Sequence, residues 1–407
     1  MKVEDEADKV SNRIDDEMTD DKEREDEPLE EMPVTEKATI IEDDNGKENR
    51  NYLPLTPLLN LMRPVPMVLC VRFVDEHQNI REEFLQFSKP LRTTGYHLAE
   101  EIKSALQELD IKLEDMRGQG YDGAALMSST CVGVQARIMQ DAPKAFYAHC
   151  SAHCLNLVIS HSCALPAVKN MIAKVRDVSL FFRNSPKRND LLTFIVHHGV
   201  TEESKHKPLL ELCRTRWAER HETYTCFYQT YVYLVKSFEV IAYDLHRDDY
   251  QDGKYATDWD YKSKQEASSL LASITSFDFI ITFLTVYRML SHLEDITVKL
   301  QSKAIDILEA NEMIVDIKSL YKEYRQNITD EYHIIYQHAI RMAEAVDIQP
   351  SQPRVAGKQK HRQNTKADTP EQYYLRNLGI PFSDHLIMEL DEQFSGKMQA
   401  FSERDII

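Results

Sequence analysis

The stretch Arg117-Gly118-Gln119-Gly120-Tyr121-Asp122-Gly123 decides how this chain is read. It is polar and punctuated by glycine, and it separates two regions whose apolar residues follow clear periods. On its N-terminal side, Leu98, Ile102, Ala105, Leu106 and Leu109 recur at helical spacing, which predicts an amphipathic helix over Tyr96–Leu109. Earlier still, Val65–Val74 and Ile80–Phe87 are rich in Val, Leu and Phe and are divided by Asp75-Glu76-His77-Gln78-Asn79, the pattern of a β-hairpin. On its C-terminal side the pattern predicts a helix running through Ile138, a short strand over Ala145–His149, and a third helix from about Ala152 to Phe182. The resulting order, β-β-α-β-α-β-α, predicts a mixed sheet carrying helices, an α/β fold.

Beyond Trp217 the strand signals fade. Helical patterns run through Tyr224–Leu245, Ser263–Gln301 and Ile305–Met342, and a last amphipathic helix spans about Phe382–Phe401. The expected organisation is an acidic tail over 1–50, a sheet-bearing core over 65–217, a helical domain over 218–348, a basic and polar loop over 349–370, and a C-terminal helix within 371–407. The fold class is thus α/β plus all-α.

Charge is unevenly placed. The chain of 407 residues has a net charge of −18, of which residues 1–50 supply −12 through twenty acidic and eight basic side chains. That tail has dense like charge and no apolar periodicity, so it cannot bury enough surface to offset ordering and is expected to be disordered. The remainder is close to neutral, and acidity of the whole argues little against DNA contact, which depends on where Lys and Arg cluster. Seven irregularly spaced cysteines do not form a secreted disulfide framework. No window reaches the roughly 20 apolar residues that span a bilayer, and the N-terminus opens on acids. A soluble intracellular protein, nuclear or cytoplasmic, is expected, with no membrane partner.

Five motifs occur in order: RGQGYDGAALMSS (Arg117–Ser129), GVQARI (Gly133–Ile138), HCSAHCLNLVI (His149–Ile159), SPKR (Ser185–Arg188) and RTRWAER (Arg214–Arg220). In order and spacing this set resembles the hAT superfamily of cut-and-paste DNA transposases, and most closely the subgroup associated with THAP and MYM-type zinc fingers. The resemblance covers roughly residues 66–400. It implies a ribonuclease-H-like core in which three acidic residues hold two divalent metals, followed by a helical insertion domain. Carboxylates suit that task because Mg²⁺ prefers hard oxygen ligands, and two metals clamp the attacking and leaving oxygens.

Mapped by motif, the family's second acid falls on Asp122. The competing reading of Asp122 is a turn residue between glycines. The pair Cys150 and His153 matches the family's C-x-x-H element; as a zinc site it is half complete, which favours a structural role at a strand–helix junction. Trp217 matches a tryptophan that packs beside the family's active site and can stack on a flipped base. With Arg214 and Arg216 beside it, it reads equally as a nucleic-acid contact or as a partly buried core aromatic. Arg354, Lys358, Lys360 and Arg362 sit in the polar loop, where weak, sequence-independent phosphate binding competes with a plain solvated surface.

The departures point away from catalysis. No acidic residue occurs between Glu48 and Asp75, where the resemblance places the first acid, and Pro54, Pro57 and Pro64 interrupt any strand there. The third acid belongs to a C-terminal segment that also forms the family's dimerisation region, and this segment is expected to be absent. Asp122 is then a vestigial, weak Mg²⁺ ligand. The expected protein is a degenerate or domesticated transposase without cofactor, retaining weak DNA binding or protein partners through its helical domain. Two alternatives stand beside it. One is an active metal-dependent transposase or nuclease whose missing acids come from Glu42, Asp43 or Asp44 and from Glu389 or Asp391, with Mg²⁺ as cofactor. The other is a protein–protein adaptor or transcriptional regulator.

Overall fold

A computed structural model describes residues 67–88, 90, 92–121, 123–199, 217–245, 259–300, 307–353 and 367–394, with backbone alone at 198–199, 217–220 and 307–308. All of them lie in one compact unit, Pro64–Ile407. The acidic tail lies outside the described residues.

The predicted hairpin forms from β1 (Met67–Val74) and β2 (Ile80–Ser88), antiparallel and in register from Val74↔Ile80 to Met67↔Ser88, with a bulge between Leu69 and Cys70. Its polar turn is held by Asp75, whose carboxylate accepts from the N–H groups of His77 (2.9 Å) and Asn79 (2.8 Å). The backbone hydrogen bonds from Asn79 and His77 hold that carboxyl below its ordinary value. Thr94 caps helix α1 (Gly95–Glu108), which turns Leu98, Ala99, Ile102, Ala105 and Leu106 inward. Next come β3 (Gly118–Tyr121), α2 (Ala125–Ser128), α3 (Val134–Asp141) and β4 (Phe146–His149). Strands β3 and β4 pair in parallel, Gly118↔Phe146 through Tyr121↔His149.

Both pairings of a mixed sheet are therefore present, as two separate strand pairs among the described residues. They share one small core. Leu98, Ile102, Leu106, Val134 and Ile138 form its centre, and Met67, Leu69 and Leu85 of the hairpin and Tyr121 of β3 pack against it. The helix expected to run unbroken to Ile138 is instead two. After α2 the Ser129 hydroxyl accepts from the N–H groups of Cys131 and Val132, a local competitor to helical bonding, and the helix restarts after Gly133.

The rest is helical: α4 (Ser151–Ser162), α5 (Pro166–Arg183), α6 (Pro186–Gly199), α7 (Trp217–Tyr243), α8 (Tyr261–Ile274), α9 (Phe277–Ser291), α10 (Glu294–Leu300), α11 (Ile307–Gln326), α12 (Ile328–Glu344), α13 (Pro370–Tyr374) and α14 (Ile380–Phe394). Three long predicted helices are thus subdivided. Pro166, at the first turn of α5, has no N–H to continue the helix begun at α4. The Ser276 hydroxyl caps α9 and separates it from α8 at a bend of 67°. Asn327 divides α11 from α12. Sequence periodicity runs through each break because the apolar face persists on both sides.

Packing does not stop at the expected 217/218 boundary: one cluster runs from Cys154 of α4 to Phe394 of α14. Its axis is α9, where Phe279, Ile280, Ile281, Phe283 and Val286 are buried on all sides. No single described helix is long and apolar enough to cross a membrane.

Between α13 and α14, Leu375–Gly379 forms a π-helical turn. Pro381 near the start of α14 lacks the N–H an unbroken α-helix would need, and the wider turn accommodates it. Asn377 Nδ2 returns a hydrogen bond to the Tyr373 carbonyl at 2.7 Å. Gly379 lies flat against the buried ring of Tyr332, where an added Cβ would come within 2.6 Å of two ring carbons. Gly379→Ala is therefore expected to destabilise the protein by about 1–3 kcal/mol through overpacking, read as a lowered urea midpoint at unchanged m-value.

Candidate functional site at the ends of the parallel strands

Open α/β sheets present ligand sites where parallel strands end. Here β3 and β4 end side by side at Tyr121 and His149, and the Cys150 N–H extends the pairing by donating to the Tyr121 carbonyl at 3.1 Å. Gln119 ties the strands to their surroundings: its buried amide nitrogen donates to the carbonyls of Ala145 (2.8 Å) and Gln135 (3.2 Å). The geometry of the strand ends is thereby fixed from both sides.

A row of rings covers these ends. Tyr121 stacks on Tyr147 (centroids 6.0 Å apart), Tyr147 on His149 (6.3 Å), and His149 meets His153 of the first turn of α4 at 5.4 Å. Burial, reinforced by Tyr147, pushes the Tyr121 phenol well above its ordinary value, so it stays neutral. The row bends over Gly123. A Cβ there would lie 2.7 Å from His149 Cε1 and Nε2 and 3.7 Å from His153 Nε2, so the His149 ring packs against Gly123 too closely for any side chain.

Of the residues expected from sequence, Cys150 and His153 fall at the strand–helix junction. Cys150 is exposed and contributes its backbone, as the residue before α4. His149, not singled out in the sequence, is the neighbour of His153. Asp122, Arg214, Arg216, Arg354, Lys358, Lys360 and Arg362 lie outside the described residues, as does the side chain of Trp217, which opens α7. Glu42, Asp43 and Asp44 lie outside them too. Among the described residues no three His, Cys, Asp or Glu side chains gather as a metal-binding group.

Glu389 and Asp391, the acids weighed as C-terminal replacements, are both engaged elsewhere. Glu389 of α14 is 6% exposed, and its carboxylate accepts from His161 Nδ1 of α4 at 2.9 Å while His385 Nδ1 lies 3.7 Å from its other oxygen. His161 stands eight residues beyond His153 on the same helix, about 12 Å along its axis. Asp391 pairs with Lys318 of α11 at 3.2 Å.

The SPKR motif also has a packing use. Lys187 lies over the Trp259 ring at 4.3 Å, and Arg188 lies over Phe181 at 3.9 Å while donating to Ser263 Oγ at 2.9 Å. Together they fasten the start of α6 to the start of α8. Four residues after Trp217, buried His221 lies 2.9 Å from Glu294 of α10 and stacks on Tyr287 of α9.

Two family models match in sequence. One, described as the ZMYM1/FAM200 RNase-like domain, covers residues 63–133; the other, the ZBED1 RNase-like helical domain, covers residues 148–261. The chain is 27% identical over 332 residues to the human 52 kDa repressor of the inhibitor of the protein kinase, across 80% of this chain and 42% of that protein. The mouse protein of the same name is 28% identical over 334 residues with the same coverage. These matches support a hAT-like, transposase-derived family for the chain. It spans 42% of the length of these curated relatives, and no solved structure matches it. Within this hAT-like chain the strand-end site joins the two matched segments: Gly123 lies in the first, His149 and His153 in the second.

The Glu389 cluster predicts a stability effect. Glu389→Ala removes the buried acceptor of His161 and the charged neighbour of His385 and is expected to cost about 1–3 kcal/mol, whereas Asp391→Ala, at a half-exposed pair, is expected to cost under about 1 kcal/mol. Urea midpoints of the two variants beside the parent check the difference.

Proposed function

We propose that this hAT-derived chain acts in the nucleus as a binding protein and does not itself cleave or join DNA. Two-metal catalysis needs several carboxylates within reach of metals about 4 Å apart. Within the matched motifs, Asp122 is the counterpart of one of the family's three acids. The observation that carries the reading is the engagement of Glu389 at the far end of α4, about 12 Å from His153 and the strand ends. A lone carboxylate leaves most of the metal charge uncompensated, so Mg²⁺ acts at best as a weak visitor at Asp122 and no catalytic metal resides in the chain. The test incubates the chain with a labelled DNA end and Mg²⁺ or Mn²⁺ beside an Asp122→Ala control. No nicking above background is expected from either; metal-dependent nicking that Asp122→Ala abolishes overturns the proposal.

Binding remains to be assigned. The polar stretch carrying Arg354, Lys358, Lys360 and Arg362 supplies cations for weak, non-specific phosphate contact, and Trp217 with Arg214 and Arg216 supplies a stacking partner for a base. Deleting 354–366 is expected to lower DNA affinity and flatten its salt dependence in a gel-shift titration; an unchanged slope removes the loop from the interface. The human and mouse relatives are named for repression, and a regulatory role exercised through protein contacts of the helical domain is the reading this name supports here.

A further inference from the structure

Acidic residues are unevenly spaced along this acidic chain. Between Asp141 and Asp190 the sole acid is Asp177, whereas 67 acids in 407 residues would place about eight in a run of that length. The same run carries Lys169, Lys174, Arg176, Arg183, Lys187 and Arg188 within twenty residues, on α5 and the start of α6. We propose that the solvent face of α5 is a contact surface for the phosphate backbone of duplex DNA. The inference rests on the DNA-binding reading above and adds to it a surface on the folded core.

Helix α5 divides its side chains cleanly. Val168, Met171, Val175, Val178 and Phe182 are buried, while Lys169, Arg176 and Arg183 are exposed. Steps of seven residues, close to two turns, keep these three in line, about 10.5 Å apart and about 21 Å from first to last. That length matches about six base pairs of duplex at 3.4 Å each. Between them on the same strip stand Ala173 and Leu180, so no acid interrupts it, and Asp177 lies about 100° round the helix from Arg176.

The other cations of the run hold the rod in place. Lys174 donates to the Ser273 carbonyl at 3.2 Å and lies over the Phe279 ring at 5.6 Å, and Arg188 donates to Ser263 Oγ at 2.9 Å. The strip is therefore presented on a helix fastened to α8 and α9. A chain of net charge −18 repels a polyanion as a whole, so contact is confined to a face where cations stand without acids. Evenly spaced charges on a rigid rod suit a regular polyanion, and such contact positions the duplex without reading its sequence.

The experiment follows binding of the full chain to a labelled duplex by fluorescence anisotropy over a series of salt concentrations. Lys169→Gln with Arg176→Gln is expected to weaken binding of two unrelated duplex sequences equally and to lower the slope of log affinity against log salt by about two, since each lost phosphate contact removes about 0.9. Adding Arg183→Gln lowers it by about one more, and Asp177→Asn strengthens binding. Lys262→Gln with Lys322→Gln, which removes the same charge from exposed positions on α8 and α11, leaves the slope unchanged. Circular dichroism and urea midpoints establish that each variant is folded. Should the α5 pair fail that check, Arg176→Gln alone, with a slope lower by about one, carries the test. An unchanged slope in the α5 variants overturns the proposal, and so does an equal loss in the control pair, which assigns the effect to net charge. If deletion of 354–366 abolishes binding while the α5 variants bind as the parent does, the DNA-binding reading stands and the α5 surface falls; a parent without affinity for DNA removes both.

Discussion

The contact between Glu389 and His161 closes the protein. It joins the helix that leaves the parallel strands to the last described helix, across 228 positions of sequence, and it buries a carboxylate to do so. A buried carboxylate is costly unless its oxygens are engaged, so α14 is held in one rotation about its axis, with His161 on one oxygen and His385 near the other. That rotation presents Leu386 and Leu390 to the core and leaves Asp384 and Asp391 to pair with Arg325 and Lys318 of α11. The same contact bears on function, because it commits the carboxylate that stood as a candidate third acid to holding two helices together.

Sequence showed local features well and distant ones poorly. The hairpin was legible because its alternation and its Asp75 turn are local, and the amphipathic α1 because Leu98, Ile102 and Leu106 mark one face. The breaks within the long helices were hidden, since Ser276 and Asn327 interrupt the backbone without interrupting the apolar stripe. At the site, the motifs led to Cys150 and His153 but passed over His149, whose place against Gly123 and beside His153 comes from the fold and not from sequence spacing. Glu389 could be suspected only as a stray acid; nothing in its neighbourhood of sequence announces a partner on α4. Arg188 shows the same limit, for a motif shared with a family gives no hint that its guanidinium fastens α6 to Ser263.

The two matched segments divide the molecule between strand-bearing and helical parts, yet the packing binds them, with one cluster running from α4 to α14 and the rings of the strand ends reaching onto α4. In a hAT-like protein the strand ends are where carboxylates would converge. The described side chains at that place are tyrosines and histidines, stacked in a row.

The central claim, that carboxylates do not converge on the strand ends, is tested most directly by Mg²⁺ calorimetry on the intact chain. The account predicts no saturable Mg²⁺ site tighter than about millimolar, since one carboxylate cannot replace enough of the ion's water shell. Two Mg²⁺ ions bound per chain, with both lost on Asp122→Ala or on Glu389→Gln, would contradict it.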